Sequence, residues 1–163
     1  VEPEFFTTTF ANYEIIADEN EKVFVYENHI NHNIKTDRTL LKQLMTILFD
    51  NAVKYTEEDG VIKFIVWSKD RSLYLRVSDN GPGINNEDKK KIFDRFYRVD
   101  KARTRQKGGF GLGLSLAKQI ADALKGTITV KDNRPKGTIF EVKISIKSES
   151  KKRVGRLSDG KKD

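Results

Sequence analysis

The hydrophobic residues change period once between Leu40 and Asp79, and that change restricts the chain to folds in which helices lie on a sheet. From Arg38 to Thr56, the residues Leu40, Leu41, Leu44, Ile47, Leu48, Ala52 and Tyr55 recur at helical spacing and form a wide apolar stripe. Asp37 stands at the N-cap position, where a carboxylate accepts one of the helix's free N–H groups. The next segments, VIKFIVWS and SLYLRVSD, alternate apolar and polar residues and are joined by the short turn KDR. They read as paired antiparallel strands. A stripe and a pleated face each need a partner, and each supplies the other's.

The flanking segments extend this pattern. In VEPEFFTTTFANYEIIADENE, apolar residues at Phe5, Phe6, Phe10, Tyr13, Ile16 and Ala17 suit an amphipathic helix, and KVFVYEN reads as a strand. DNGPGI is irregular, because Gly81, Pro82 and Gly83 interrupt it. NNEDKKKIFDRF suggests a short helix, followed by a polar, basic stretch to Lys107. A further helix is expected from about Gly111 to Lys125, stopped by Gly126. GTITVKD and GTIFEVKIS then form a hairpin across NRPKG. The expected architecture is an α/β two-layer sandwich, a mixed and mostly antiparallel sheet covered on one face by helices. Residues 1–146 form this domain, and 147–163 form a basic tail expected to be disordered.

With 163 residues the chain suits one domain. It has no cysteine, which excludes disulfides and thiolate metal sites. No apolar run approaches the length of a membrane span, and no secretory signal opens the chain. Of the net charge of +7, the tail's seven basic and three acidic residues carry a large part. A second basic cluster runs from Lys89 to Lys107. Such clusters are solvated surface or a phosphate-bearing partner's contact. The tail lacks interleaved aromatics, so no nucleic-acid partner is expected.

Four segments carry polar residues suited to chemistry. GGFGLGLSLAK, from Gly108, places glycines before a helix, which serves equally for phosphate binding or as a flexible hinge. It lacks the strand that precedes a dinucleotide loop and the Gly-Lys-Ser/Thr of a Walker loop. In QLMTILFDNAVKYT, Asn51, Lys54 and Tyr55 can share a helix face. They could hold Mg²⁺ and phosphate, or form the helix's wet side, with Asp50 and Lys54 as an ordinary pair. In VSDNGPGI, Asp79 is either a turn residue or a buried carboxylate that accepts from adenine's exocyclic amine and repels guanine's carbonyl. KIFDRFYRVDKARTRQK reads as a mobile basic lid or as a surface loop with Phe93 and Phe96 in the core.

In order, DNAVKYT, DNGPGI, IFDRFYR and GGFGLGLSLAK resemble the N box, first glycine box, F box and second glycine box of sensor histidine kinases. These share the ATP-binding (Bergerat) fold of gyrase, heat-shock-chaperone and mismatch-repair ATPases. The resemblance spans about Leu40 to Phe140. It implies ATP beneath a flexible lid at about 86–109, with Asn51 on Mg²⁺, Lys54 on phosphate and Tyr55 near the nucleotide. Asp79 would take the adenine amine, with Gly81, Gly83 and Ile84 beside the base, and Arg98 would approach the terminal phosphates. Gly109, Gly111, Leu112, Gly113 and Leu114 would set the lid end and helix start against the phosphates. Asn51, Lys54 and Arg98 would be the catalytic set.

Two positions depart from the resemblance. Ile47 stands where many members have a second Asn, which puts the usual Mg²⁺ shell in doubt. Phe110 stands where a small hydroxyl residue is common. The hydrolytic relatives carry a general-base Glu at the position of Ile47, so an aliphatic residue there favours phosphoryl transfer over hydrolysis.

Only His29 and His32 are present, without a phosphoacceptor pattern, and their spacing lacks metal-ligating partners. The leading expectation is therefore a catalytic domain that donates the γ-phosphoryl group of Mg·ATP to a His on a dimerisation domain of the same protein. A response-regulator receiver would be the downstream partner. The alternatives are a hydrolytic ATPase module and a non-catalytic nucleotide-binding or interaction domain. By the same resemblance, the domain would be cytoplasmic and monomeric in isolation, within a membrane-anchored homodimeric parent.

Overall fold

The structure, a computed structural model, describes residues 1–97 and 113–146. The elements are α1 (Pro3–Glu19), β1 (Val23–Asn28), α2 (Arg38–Tyr55), β2 (Val61–Lys69), β3 (Ser72–Asp79), the one-turn α3 (Asn86–Lys89), α4 (Gly113–Ala123), β4 (Gly126–Asp132) and β5 (Thr138–Ser145). Among the described residues the strands form one five-stranded sheet in the order β1-β2-β3-β5-β4. β1 and β2 run parallel, with α2 as the crossover between them, and the other neighbours are antiparallel. No helix among the described residues is long and apolar enough to cross a membrane.

Alternation decides which side of the sheet is covered. Ile62, Phe64 and Val66 of β2, Leu73, Leu75 and Val77 of β3, and Phe140, Val142 and Ile144 of β5 are all buried. Intervening residues such as Ile65, Trp67, Tyr74 and Glu141 are only half-buried. The helices supply the missing half of the core. Phe10 of α1 lies 5.0 Å from the Phe64 ring and 6.3 Å from that of Phe24. Tyr13 stacks on Phe49 of α2 at 4.2 Å and 4°. Asp37 caps α2 as expected, its carboxylate accepting from the Leu40 N–H at 2.9 Å. The turn between β2 and β3 is Asp70–Arg71, both residues left-handed, as a two-residue hairpin turn of this hand requires.

Four local expectations need correction. Ile16 is exposed, and Thr9 is buried, with its hydroxyl donating to Phe5 O at 2.7 Å. The buried face of α1 runs through Phe5, Phe6, Thr9, Phe10, Tyr13 and Ala17; Ile16 shares the edge of that face but stands in the last turn of the helix. On α2 the buried sector also takes in Met45 and Phe49, because α1 and α4 flank it in addition to the sheet. Phe96 is not a core residue: its φ is +66° and it is 61% exposed. The left-handed backbone there breaks the helical face it would have shared with Phe93, which packs edge-on against Phe140 at 6.2 Å.

Gly126 does not end α4 by a left-handed turn; Lys125 takes that conformation at φ +57°. Gly126 instead opens β4, where a Cβ would lie 2.3 Å from Lys143 O of the paired strand. The glycine is thus required by strand contact rather than by helix termination. Gly126→Ala is expected to destabilise the domain by about 1–3 kcal/mol, read from the urea midpoint. An unchanged midpoint would contradict this account of the β4–β5 contact.

Candidate functional site

Period two along β3 carries the inward face from Leu73, Leu75 and Val77 to Asp79. The last inward position of a central strand is therefore a carboxylate, only 8% exposed. Its Oδ1 accepts from the Gly81 N–H at 2.9 Å and from the Thr138 N–H at 3.3 Å. The β3–β5 register pairs Ser78 with Ile139, which brings the start of β5 against the end of β3 and makes the second bond possible. Burial raises the Asp79 pKa above the ordinary carboxylate value, and the two backbone N–H groups act in the opposite direction. Both bonds converge on one oxygen.

The β4–β5 turn also holds the Asp79 backbone. Asn133 Nδ2 donates to Asp79 O at 2.7 Å, while Asn133 Oδ1 accepts from the Arg134 N–H at 2.9 Å. Gly137, at φ +113°, comes so close that a Cβ would lie 1.9 Å from Asp79 O. Gly83, at φ +81°, faces the same turn, its Cβ position 3.4 Å from Gly137 O. Gly83 and Ile84 line a cleft of about 410 Å³ together with Asn133 and Gly137. Asp79 adjoins this cleft without lining it.

The C-terminal end of α2 meets the same loop. A Cβ on Gly81 would stand 2.9 Å from Tyr55 O and 3.1 Å from Asp79 Oδ1. Only a glycine lets the loop backbone rest on the helix end. Asn51 and Tyr55 are half-buried and Lys54 is exposed, within the final turns of α2. At the start of α4, the Cβ position of Gly113 lies 3.7 Å from Ile47 Cγ2, one helical turn before Asn51. Leu114 and Ile84 pack against the core. Hence α2 lies between the Asp79 loop on one side and the start of α4 on the other. Arg98, Gly109, Phe110, Gly111 and Leu112 lie outside the described residues.

His29 pairs with Glu27 at 2.9 Å on the exposed surface, and His32 contacts Asn31, both away from this site. Among the described residues no group of three His, Cys, Asp or Glu could hold a metal ion. Sequence reasoning missed Asn133, Gly137 and Thr138. They were findable in principle: a hairpin that returns beside β3 must place its turn near the end of that strand.

Residues 36–148 match the family described as histidine kinase-, DNA gyrase B- and HSP90-like ATPases. The chain belongs to that family. Within it, the similarity is to sensor histidine kinases. The chain is 76% identical over 149 residues to the sensor protein CiaH of Streptococcus pneumoniae, covering 91% of this chain and 34% of that protein. It therefore spans about a third of the length of this relative. The nucleotide-free catalytic domain of histidine kinase ThkA superposes with a TM-score of 0.73 at 30% identity, covering 87% of this chain and 92% of that one. ThkA in complex with the response regulator protein TrrA matches with a TM-score of 0.72 at 27% identity, covering 88% of this chain and 40% of that one.

The carboxyl environment sets a sign for stability. Asp79 binds its proton more tightly in the folded state, so its burial costs stability once the pH rises through the unfolded carboxylate range. At low pH, where it is protonated in both states, that cost is absent. Asp79→Asn keeps an acceptor oxygen for both N–H groups. It is expected to be at least as stable as the unaltered chain near pH 7, with the difference closing towards about pH 4. Urea unfolding at both pH values checks this; a destabilised variant near pH 7 would contradict the assignment.

Proposed function

We propose that this domain binds ATP with the adenine amine at Asp79 and donates its γ-phosphoryl group to a histidine on a helical dimerisation domain of the same protein. The observation that carries the reading is the buried Asp79 carboxylate beside the end of α2. It is held from one side by backbone N–H groups and, among the described residues, has no stabilising contribution from a cation. A desolvated acceptor of this kind favours a neutral N–H₂ donor, and a carbonyl in the same place would be repelled. The base identity is thus read by Asp79, with Gly81, Gly83 and Ile84 as the wall beside it.

From that anchor the phosphates would extend along α2, past Tyr55 towards Lys54, Asn51 and the start of α4 at Gly113 and Leu114. Arg98 and Gly109 are assigned to the lid over them, spanning about 86–109, and Gly111 and Leu112 to the passage from its end to the start of α4. The buried Ile92 and the Phe93–Phe140 contact support a fixed start for that lid. Asn51 would supply one amide oxygen to Mg²⁺. This fits a hard cation that arrives with the nucleotide and takes its other ligands from phosphate and water. When bound, Mg²⁺ supplies charge neutralisation at the phosphates.

Ile47 favours transfer over hydrolysis. It sits one turn from Asn51, against Gly113, where an aliphatic side chain cannot activate water. A neutral imidazole needs no such activation. Its nitrogen attacks the γ-phosphorus, the bond to the β–γ bridging oxygen breaks, and ADP leaves. The domain's residues then act by positioning and charge stabilisation. A receiver domain would take the phosphoryl group next, a reading supported by ThkA's complex with a response regulator. The longer protein is proposed to be a membrane-anchored homodimer.

The test is incubation with γ-labelled ATP, with and without the protein's own His-bearing helical domain. Labelled His-domain is expected, with no self-labelling of this chain. Release of free phosphate alone would support the hydrolytic reading, and binding without either would support a non-catalytic nucleotide domain.

A further inference from the structure

Asp79 is the last residue of β3, and its main-chain carbonyl faces the β4–β5 turn. The β3–β5 register is paired as far as Ser78 with Ile139. One step further, an antiparallel ladder would send the Thr138 N–H to Asp79 O. That N–H goes instead to the carboxylate, Oδ1, at 3.3 Å. A buried carbonyl left without a donor by this exchange would cost as much as a lost hydrogen bond. The replacement donor is a side chain: Asn133 Nδ2, 54 positions further along the chain, meets Asp79 O at 2.7 Å.

The Asn133 amide is held so that it points one way. Its backbone N–H donates to Gly137 O at 3.0 Å across the turn, and its Oδ1 accepts from the Arg134 N–H at 2.9 Å. Nδ2 is therefore the atom turned to Asp79. The neighbouring Asp132 is fixed as well, by Lys89 Nζ at 2.5 Å, and the Lys89 side chain is only 16% exposed. Lys89 also donates to Asn86 Oδ1 at 3.0 Å, so the turn is tied to α3 on one side and to β3 on the other. Both donors to the carboxylate end on Oδ1, which leaves Oδ2 without a hydrogen bond from the described residues.

We propose that Asn133 is a positioning residue of the base site: by taking over the Asp79 carbonyl it releases the Thr138 N–H to the carboxylate, and so fixes Oδ2 as the oxygen offered to a base amine. The inference rests on the nucleotide reading above and deepens it. Asn133 does not touch the nucleotide and acts only through Asp79. Without its amide, the Thr138 N–H returns to the carbonyl and completes the ladder. The carboxylate then keeps Gly81 as its one donor, and the soft last torsion of an aspartate lets it turn away from the base.

The experiment compares Asn133→Leu and Asn133→Ser with the unaltered 163-residue chain. Leucine keeps the volume and removes the amide, whereas serine keeps a polar side chain for the turn but ends one bond short of Asp79 O. Affinities for ATP and inosine triphosphate are taken by calorimetry. The titration midpoint of the Asp79 carboxyl is read by carbon NMR without nucleotide. Both variants are expected to bind ATP about three- to tenfold more weakly and to weaken inosine triphosphate less, so that the preference between the bases falls. No charged side chain among the described residues shifts the Asp79 carboxyl, so the N–H donors are what the substitution changes. Losing a donor that favours the ionised form should move the Asp79 midpoint to higher pH in both variants. Equal weakening of the two nucleotides, or an unmoved midpoint, would overturn the proposal, since a merely structural turn residue behaves in that way. Unchanged ATP affinity would overturn it too. Failure of the unaltered chain to bind ATP is seen before any substitution and would overturn the nucleotide reading, and this role with it.

Discussion

A carboxylate buried at the inward end of a central strand organises the rest of this molecule. Asp79 sits where the alternation of β3 would otherwise continue with an apolar residue, and its Oδ1 is met by two backbone N–H groups from different segments. Those bonds require the 80–84 loop to fold back and β5 to begin beside it. Gly81 then brings the end of α2 into contact, and Gly137 brings the β4–β5 turn against the Asp79 backbone. Each of these close approaches would be lost with a side chain at the glycine. The charge, the loop and the two flanking elements form one interdependent unit.

On the nucleotide reading proposed above, part of the sheet's end is given over to recognition. The burial that raises the Asp79 pKa works against the ionised form in the nucleotide-free fold, and a donor brought by a ligand relieves that penalty. On the reading proposed above, the site's selectivity follows from what the Asp79 carboxylate lacks when free. By contrast, the aromatic cluster of Phe10, Tyr13, Phe24, Phe49 and Phe64 is complete in itself and supplies the rigidity on which α2 rests.

Much of this was legible in the sequence, because periodicity reports burial directly. The stripe from Leu41 to Ala52 and the alternation through β2 and β3 gave the helix, the hairpin and the covered face of the sheet. Asp37 announced the start of α2 by its capping chemistry. Failures came where a contact between distant segments decided the outcome. Gly126 looked like a helix stop, and only the strand beside it shows why no side chain fits. Phe96 looked like an anchor, and only its left-handed backbone turns it outward. Asn133 and Thr138 carried no local mark of function, since their role exists only once β5 lies beside β3.

The central claim is that Asp79 reads an exocyclic amine. Its most direct test is calorimetric titration of the unaltered chain with ATP and with inosine triphosphate, which carries a carbonyl in place of the amine. The account predicts that ATP binds at least about tenfold more tightly, the minimum expected when a buried acceptor loses its donor and faces a second acceptor. Equal affinity for the two nucleotides would contradict it.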